Sequence, residues 1–377
     1  MNIYVLLLFG AATLGSANFS PPLVNISLDV PAEQRWAPLV KLYDVDFLKK
    51  AAAQVIESIL PKWVHRAVIP IVQKLGTHLP QPYGAEIRGM ATFYDTAISD
   101  IIMLNFAYEV SAFCTSIVAQ DAKGNIYHGR NLDYPHDVLR NLTIDVLYTK
   151  NGEVAYRGTT FAGYVGLWTG QSANKFTVSG DQRDKGHLWE NIISAFLFKS
   201  SPVSWLVRET LEEAVDFQDA VMRLAKVPLI TDVYYIVGGV RAGEGVVITR
   251  DRRGPADIWP LDTLHGEWYR VETNYDHWLP NPSRDPRREA AMQAMNSTGE
   301  NAINLDSLYK VLSLPPVCNR ITVYTTVMSA AAPERYRTVV REVRPGKVAP
   351  SQIHHSICSR DQMKKVLLCP LVAVRVN

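Results

Sequence analysis

The sequence predicts an α+β fold, a layered domain preceded by a helical segment. Three observations carry this. Apolar residues recur at helical spacing through roughly 95 residues after Asn18. From Ser111 the pattern changes to short strands separated by turn residues. A helical block then divides two groups of strands, the order expected of an α+β layered domain.

Residues 3–14 run Ile-Tyr-Val-Leu-Leu-Leu-Phe-Gly-Ala-Ala-Thr-Leu. A membrane span needs about 20 apolar residues, so this run is too short. The small residues Gly15, Ser16 and Ala17 follow and suit a signal-peptidase site, so residues 1–17 read as a signal peptide. Secretory entry gives meaning to four N-x-S/T sequons, at Asn18, Asn25, Asn141 and Asn296. Asn18 stands at the expected mature N-terminus.

Asp46 to Leu60 carries Phe47, Leu48, Ala51, Val55, Ile56, Ile59 and Leu60 on one helical face. Pro61 breaks that helix and opens the next, with Pro70 as a kink. A third helix is expected over Tyr94–Val110. Thr115–Gln120 and Asn125–Arg130 flank a turn at Asp121–Gly124. Leu142–Lys150 and Glu153–Thr160 flank Asn151-Gly152, a strong hairpin signal. Helices are expected from about Leu188 to Lys226, strands at Val233–Gly238, Val246–Arg250 and Trp268–Thr273. Helices at Pro286–Met295 and Leu305–Leu312, then strands at Ile321–Met328 and Tyr336–Val343, complete the set.

The chain of 377 residues is 47% hydrophobic, enough for a buried core. Its 39 Lys and Arg against 37 Asp and Glu leave a net charge of +2, too balanced for a protein whose task is to bind nucleic-acid phosphates. The four cysteines, 114, 318, 358 and 369, show no C-x-x-C spacing, so a cysteine zinc site is not expected. No P-loop, GxSxG or HExxH occurs. Val237–Val240 and Gly243–Gly245 read as a turn, and His354-His355 as a solvated pair.

Cys114 stands at the head of a strand-like run, and Arg130 and Asp133 follow on its hairpin partner. If the register holds, both lie at one end of a sheet. A nearby arginine lowers a thiol's pKa, and a carboxylate positions a proton acceptor. On residues alone the alternatives stay open, because a buried cysteine is usually an inert small hydrophobe and an Arg–Asp pair is usually structural.

Four strings carry a resemblance: Phe113-Cys114-Thr115-Ser116, His128–Tyr134, Gly243–Asp251 and Thr273–Trp278. In combination they resemble the cysteine N-terminal nucleophile hydrolases, in the lysosomal acid ceramidase-like branch. The likeness runs from about Ala32 to Val343. It implies a four-layer αββα sandwich and a self-processed proenzyme, with a small helical α subunit of residues 18–113 staying associated with a catalytic β subunit of residues 114–377. Cleavage would fall between Phe113 and Cys114. Cys114 is then the nucleophile, Arg130 and Asp133 steady the thiolate and the new α-amine, Asn274 is an oxyanion donor, and Arg287 is the second arginine, with Arg288 an adjacent alternative. Relatives often carry a glutamate in the loop that here reads Gly180-Asp181-Gln182-Arg183-Asp184, so Gln182 departs from the pattern at a position tied to processing. The stretch after Gln352 fits the family poorly.

The resemblance further implies hydrolysis of a fatty-acid ethanolamide in the lysosome at acidic pH, without metal or cofactor. Ceramide hydrolysis and non-catalytic lipid binding are the alternatives. Asp133 would then need to stay ionised near about pH 5, favoured by hydrogen bonds from Arg130 and the α-ammonium. Trp63, Val64, Val68, Ile69 and Val72 are the candidates for contact with substrate or with a lipid surface, although an amphipathic stripe at this spacing is more often core. A papain-like thiol hydrolase would instead need an imidazole base, for which His128 and His277 are the nearest candidates.

Overall fold

The computed structural model describes residues 18–59, 69, 72, 76, 79–108, 113–183 and 200–342. The signal-peptide stretch, the segment with Trp63, Val64 and Val68, the start of the expected 188–226 block, and the C-terminal unit Arg344–Asn377 lie outside the described residues.

Two sheets form the centre. The larger has the order β1-β4-β5-β6-β7-β8-β9-β10 and the smaller β11-β2-β3-β12-β13. In the smaller sheet β2 (Phe113–Gln120) pairs antiparallel with β3 (Ile126–Asp133) and with β11 (Tyr269–Glu272). β12 (Thr322–Met328) lies on the far side of β3, with β13 (Arg337–Val340) beyond it. The larger sheet holds β4 (Thr143–Lys150), β5 (Glu153–Phe161), β6 (Thr169–Ser172), β7 (Phe176–Gln182), β8 (Val233–Gly238), β9 (Gly245–Asp251) and β10 (Gly254–Pro260). The β4–β5 hairpin turns at Asn151 and Gly152, with φ of 52° and 81°, as the Asn-Gly signal requires.

Val118 and Ile126 of the smaller sheet meet Tyr234, Ile236 and Val247 of the larger one in a shared core. Helices cover both outer faces. α1 (Val45–Ile59), α2 (Tyr83–Phe93), α3 (Ile98–Tyr108) and the short α4 (Val138–Leu142) precede α5 (Val203–Glu213) and α6 (Phe217–Lys226). α5 lies on the larger sheet, its Leu211 filling the space where a side chain at Gly170 would stand. α7 (Arg287–Thr298) and α8 (Leu305–Leu312) lie on the smaller sheet. Asn304 starts α8 with a capping box shared with Ser307, which satisfies otherwise orphaned N–H groups. Leu305, Leu308, Val311 and Leu312 then point into the core with Ile117, Ala119 and Val327, each worth about 1.5–3 kcal/mol of burial. Gly129 lets α8 approach β3, since a Cβ there would sit 2.7 Å from Leu312 Cδ1. Helix, sheet, sheet, helix is the αββα sandwich.

Three expectations are corrected. The segment before Cys114 is not wholly helical: β1 (Leu23–Ser27) pairs parallel with β4 and extends the larger sheet. Val24 and Ile26 are buried and Leu23 and Asn25 exposed, the period-two pattern of a strand. The helix expected over 94–110 starts later, as α3 at Ile98, because the chain turns near Asp95 (φ of 45°) after a separate helix α2 that was not expected. The stretch read as a loop at Gly180–Gln182 is the end of β7, a strand whose polar residues face the polar space between the sheets.

No helix among the described residues is long and apolar enough to cross a membrane. Val72 is only 2% exposed, so it does not face a lipid surface, while Ile69 is half-buried. The four sequon asparagines, Asn18, Asn25, Asn141 and Asn296, are all exposed.

Candidate active site

β2 begins with Phe113, partly exposed, and Cys114, fully buried. Cross-strand register places Cys114 opposite Leu132 and Ser116 opposite Arg130. Directly paired residues share a face, and alternate residues along a strand do too. Cys114, Ser116 and Arg130 therefore all point into the space between the sheets, and Asp133 points to the other side.

Arg130 Nη2 donates to Cys114 Sγ at 2.8 Å and to the Gly180 carbonyl at 3.2 Å. Its Nη1 donates to Thr169 Oγ1 at 2.6 Å and also reaches Tyr324 OH and the Trp168 carbonyl. Asp181 Oδ1 stands 3.5 Å from the same Nη2. Thus one nitrogen serves both the sulfur and a carboxylate.

On the other side, polar groups gather round the backbone of Cys114. Its N–H donates to Asn274 Oδ1 at 3.0 Å, and its carbonyl accepts from Arg287 Nη1 at 2.6 Å. Arg287 Nη2 also donates to Asn274 Oδ1 at 2.8 Å, and Asp285 holds the guanidinium from below at 2.6 and 2.8 Å. Asp133 accepts from Thr322 Oγ1 at 2.6 Å, Asn319 Nδ2 at 2.9 Å and Arg287 Nη1 at 3.4 Å. Arg288 instead donates to the Tyr275, Asp276 and Leu279 carbonyls, so of the two adjacent arginines it is Arg287 that contacts Cys114.

The sequence-derived residues Cys114, Arg130, Asp133, Asn274 and Arg287 are therefore brought together, with two changes of role. Arg130 serves the thiol, and its hydrogen bonds do not include Asp133; the alternation of β3 sends the two side chains to opposite faces. Asn274 Nδ2, the amide hydrogen source expected to act as an oxyanion donor, donates to the Gln182 carbonyl at 2.7 Å in this uncut chain. The electrostatics differ from expectation as well. Burial pushes the Cys114 thiol up to about 12, against the pull of Arg130. Burial also raises Asp133 above the usual carboxylate range, with Arg287, Thr322 and Asn319 working against it.

Sequence reasoning missed Ser116, Thr169, Asp181, Asp285, Asn319, Thr322 and Tyr324. One signal was available for Asp181: Thr177, Ser179 and Asp181 alternate with one another down β7, which puts all three on one face. Asp285 lay inside the string that singled out Arg287. Thr169 and Tyr324 had no local signal. His128 contacts Thr177 Oγ1 and Ser179 Oγ, and His277 stacks on Trp259 with ring centroids 3.9 Å apart. Neither has a hydrogen bond to Cys114, so the papain-like reading loses its base. Among the described residues no group of His, Cys, Asp and Glu is arranged to hold a metal ion.

The αββα sandwich is that of the N-terminal nucleophile hydrolases, and the protein is an amidohydrolase. A family model described as the beta subunit of N-acylethanolamine-hydrolyzing acid amidase matches residues 19–79. The mouse N-acylethanolamine-hydrolyzing acid amidase is 59% identical over 323 residues, 85% of this chain and 89% of that protein. Mouse acid ceramidase is 33% identical over 332 residues, 81% of this chain and 83% of that protein. The solved structure of a Caenorhabditis elegans N-acylethanolamine-hydrolyzing acid amidase ortholog superposes with a TM-score of 0.56 at 39% identity, covering 61% of this chain and 100% of that one. The chain belongs to the N-acylethanolamine-hydrolyzing acid amidase family. The family model falls wholly before Cys114, in the segment expected to become the small subunit, which its description calls beta.

Proposed function

We propose that this protein hydrolyses fatty-acid ethanolamides to fatty acid and ethanolamine, as a two-chain enzyme formed by its own cleavage between Phe113 and Cys114 in the lysosome. The observation that carries this reading is the two-sided grip on Cys114: Arg130 on its sulfur, Asn274 and Arg287 on its backbone nitrogen and oxygen. The relatives named above supply the substrate class.

In the uncut chain a thiol at about 12 is protonated at neutral and acidic pH. It has no free α-amine to receive its proton. Processing begins when Cys114 Sγ attacks the Phe113 carbonyl carbon. The C–N bond breaks as the Cys114 nitrogen takes a proton, leaving a thioester that water opens to the Phe113 carboxylate and the free thiol. Attack on the adjacent carbonyl is intramolecular and has a high effective molarity. The new α-amine has a reference pKa of about 7.7–8.0 and becomes the enzyme's base. Asn274 Oδ1, already accepting from that nitrogen, stays as its acceptor.

Substrate turnover repeats the chemistry. The thiolate attacks the amide, ethanolamine leaves with the proton from the α-ammonium, and water hydrolyses the acyl-thioester. Once cleavage relaxes the strand head, Asn274 Nδ2 can turn from Gln182 to the tetrahedral oxyanion, a contact worth about 2.7–4 kcal/mol. Burial works against an ionised Asp133, although Arg287, Thr322, Asn319 and Arg130 favour its charge, so its role is to orient Arg287 and the α-amine. Peripheral contact with a membrane or micelle rests on Trp63, Val64 and Val68 and on the partly exposed Ile69.

Acid-treated protein should release a second N-terminus beginning Cys-Thr-Ser-Ile and hydrolyse an ethanolamide in preference to a ceramide. A fully active single chain would overturn self-processing, and preference for the ceramide would overturn the substrate. Removal of N-glycans should increase mobility on a gel; an unchanged band counts against passage through the secretory pathway.

A further inference from the structure

We propose that Asp181 is a positioning residue whose proton decides how fully Arg130 engages the Cys114 thiol. The inference rests on reading Cys114 as the nucleophile, and it adds a control on that nucleophile which none of the residues assigned above provides.

The geometry is a contest for one nitrogen. Arg130 Nη2 lies 2.8 Å from Cys114 Sγ and 3.5 Å from Asp181 Oδ1. Asp181 is fully buried, and its Oδ1 accepts from Ser116 Oγ at 2.7 Å. Its Oδ2 is buried too and receives no hydrogen bond from the protein. A buried carboxylate oxygen with no donor stabilises the charged form poorly, and a proton added there breaks no existing bond. Ionised, Asp181 draws on Arg130 and adds a negative charge beside the sulfur. Neutral, it leaves Nη2 to the sulfur.

The neighbours of Asp181 make its charge changeable. β2 presents Cys114 and Ser116, β3 presents Arg130 and His128, β11 presents Glu272, and Tyr234 pairs with Asp181 from β8. Asp133 and the Arg287 guanidinium of α7 act on it from the far side of β3. Arg130 and Arg287 are the cations in this set; His128 is held neutral, its pKa taken down to about 3 by burial. Burial pushes Asp181 up to about 7, with Arg130 opposing, and pushes Glu272 up to about 8. The charge on Asp181 therefore changes between neutral and acidic surroundings. Ionised Asp181 raises the thiol's own pKa, and coupled titration makes that effect mutual. The fall in pH from the secretory route to an acidic compartment thus removes a brake on Cys114.

The test compares the full wild-type chain with Asp181→Asn, which keeps Oδ1 toward Ser116 but has no charge to lose. Two rates are followed against pH: self-cleavage, and alkylation of Cys114 by a small haloacetamide, measured on its own peptide. The ratio of variant to wild type is expected to rise about tenfold or more from about pH 5 to about pH 9, since a like charge close by shifts a pKa by a unit or more. A ratio constant across that range overturns the proposal. So does a step that disappears with Glu272→Gln while surviving Asp181→Asn. If Asp181→Asn fails to fold, Ser116→Ala takes its place: losing the donor that favours ionised Asp181 should move the step to higher pH, and an unmoved step overturns the proposal. A wild type that never cuts itself counts against self-processing, while the alkylation ratio still reports the Asp181–Cys114 coupling.

Discussion

Arg208 and Arg130 are both buried and each meets a buried carboxylate, and they are built to opposite ends. Arg208 on α5 grips Glu86 on α2 with two hydrogen bonds of 2.6 and 2.7 Å. Glu86 also accepts from Trp36 Nε1 at 2.7 Å and Arg35 Nη1 at 3.0 Å, so four donors meet its two oxygens. The Arg208 guanidinium lies over the rings of Tyr83 and Tyr148, and its Nε donates to Tyr156 OH. Burial opposes the Glu86 charge, yet Arg208 and these hydrogen bonds outweigh it and hold the group below its ordinary value of 4.5. Arg130 meets Asp181 only obliquely, divides its donors among sulfur, hydroxyls and carbonyls, and has an Nε with no acceptor. Asp181 rises to about 7. A fully satisfied pair acts as a staple, and an under-satisfied one leaves a donor and a proton free to do chemistry. The staple joins residues before Cys114 to residues after it, so it would hold the two chains together once the bond between them is cut.

The comparison breaks most sharply at Cys114. Cys114→Ala should remain a single chain at every pH and show no amidase activity, with the Glu86–Arg208 staple intact and thermal stability near wild type; a variant that still matures would place the nucleophile elsewhere. Next in size, Glu86→Ala leaves Arg208 buried without its partner and should cost about 3–5 kcal/mol in denaturant unfolding. A loss below 1 kcal/mol would show that the pair is no staple.

Arg130→Met should do the reverse. A hydrogen bond to a charged group is worth about 1.5–3 kcal/mol, so turnover should drop by about ten- to hundredfold while the unfolding midpoint moves less than in Glu86→Ala. Equal losses of stability in the two variants would erase the distinction. The pH dependence sharpens it further. Glu86 has a depressed folded pKa, so its stabilisation is present above the ordinary glutamate value of 4.5 and is lost as pH falls through the folded value. Wild type should therefore lose stability on the acid side of 4.5 more steeply than Glu86→Ala, and parallel acid limbs would contradict that. The smallest effect is expected from Gln182→Glu, which should speed maturation without changing turnover of mature enzyme. A change in turnover would place residue 182 in the substrate cycle.

Much of the sandwich was legible because its strands and helices announce themselves locally. Asn151-Gly152 can take the positive φ of a tight hairpin, and Leu305, Leu308 and Leu312 fall on one face of a helix whatever they pack against. The motif residues Cys114, Arg130, Asp133, Asn274 and Arg287 were also readable, because each sits in a string with its own character. β1 was not legible, since five residues with two buried apolar side chains become a strand only when β4 offers its edge. β7 was hidden because its inward residues are polar, and polarity in a sequence normally marks solvent.

What the sequence determined by itself is therefore the succession of elements and the identity of the groups able to do chemistry. Periodicity, turn residues and side-chain type are properties of neighbouring positions. Which of those groups touch was decided only by the tertiary structure. Strand alternation sent Arg130 to the sulfur and Asp133 to the other face, and sheet stacking brought Asp181 from 67 positions away to the same nitrogen that holds Cys114. Burial then set the charge each group can carry, because the cost of an ion depends on what surrounds it in space and not on what adjoins it in the chain.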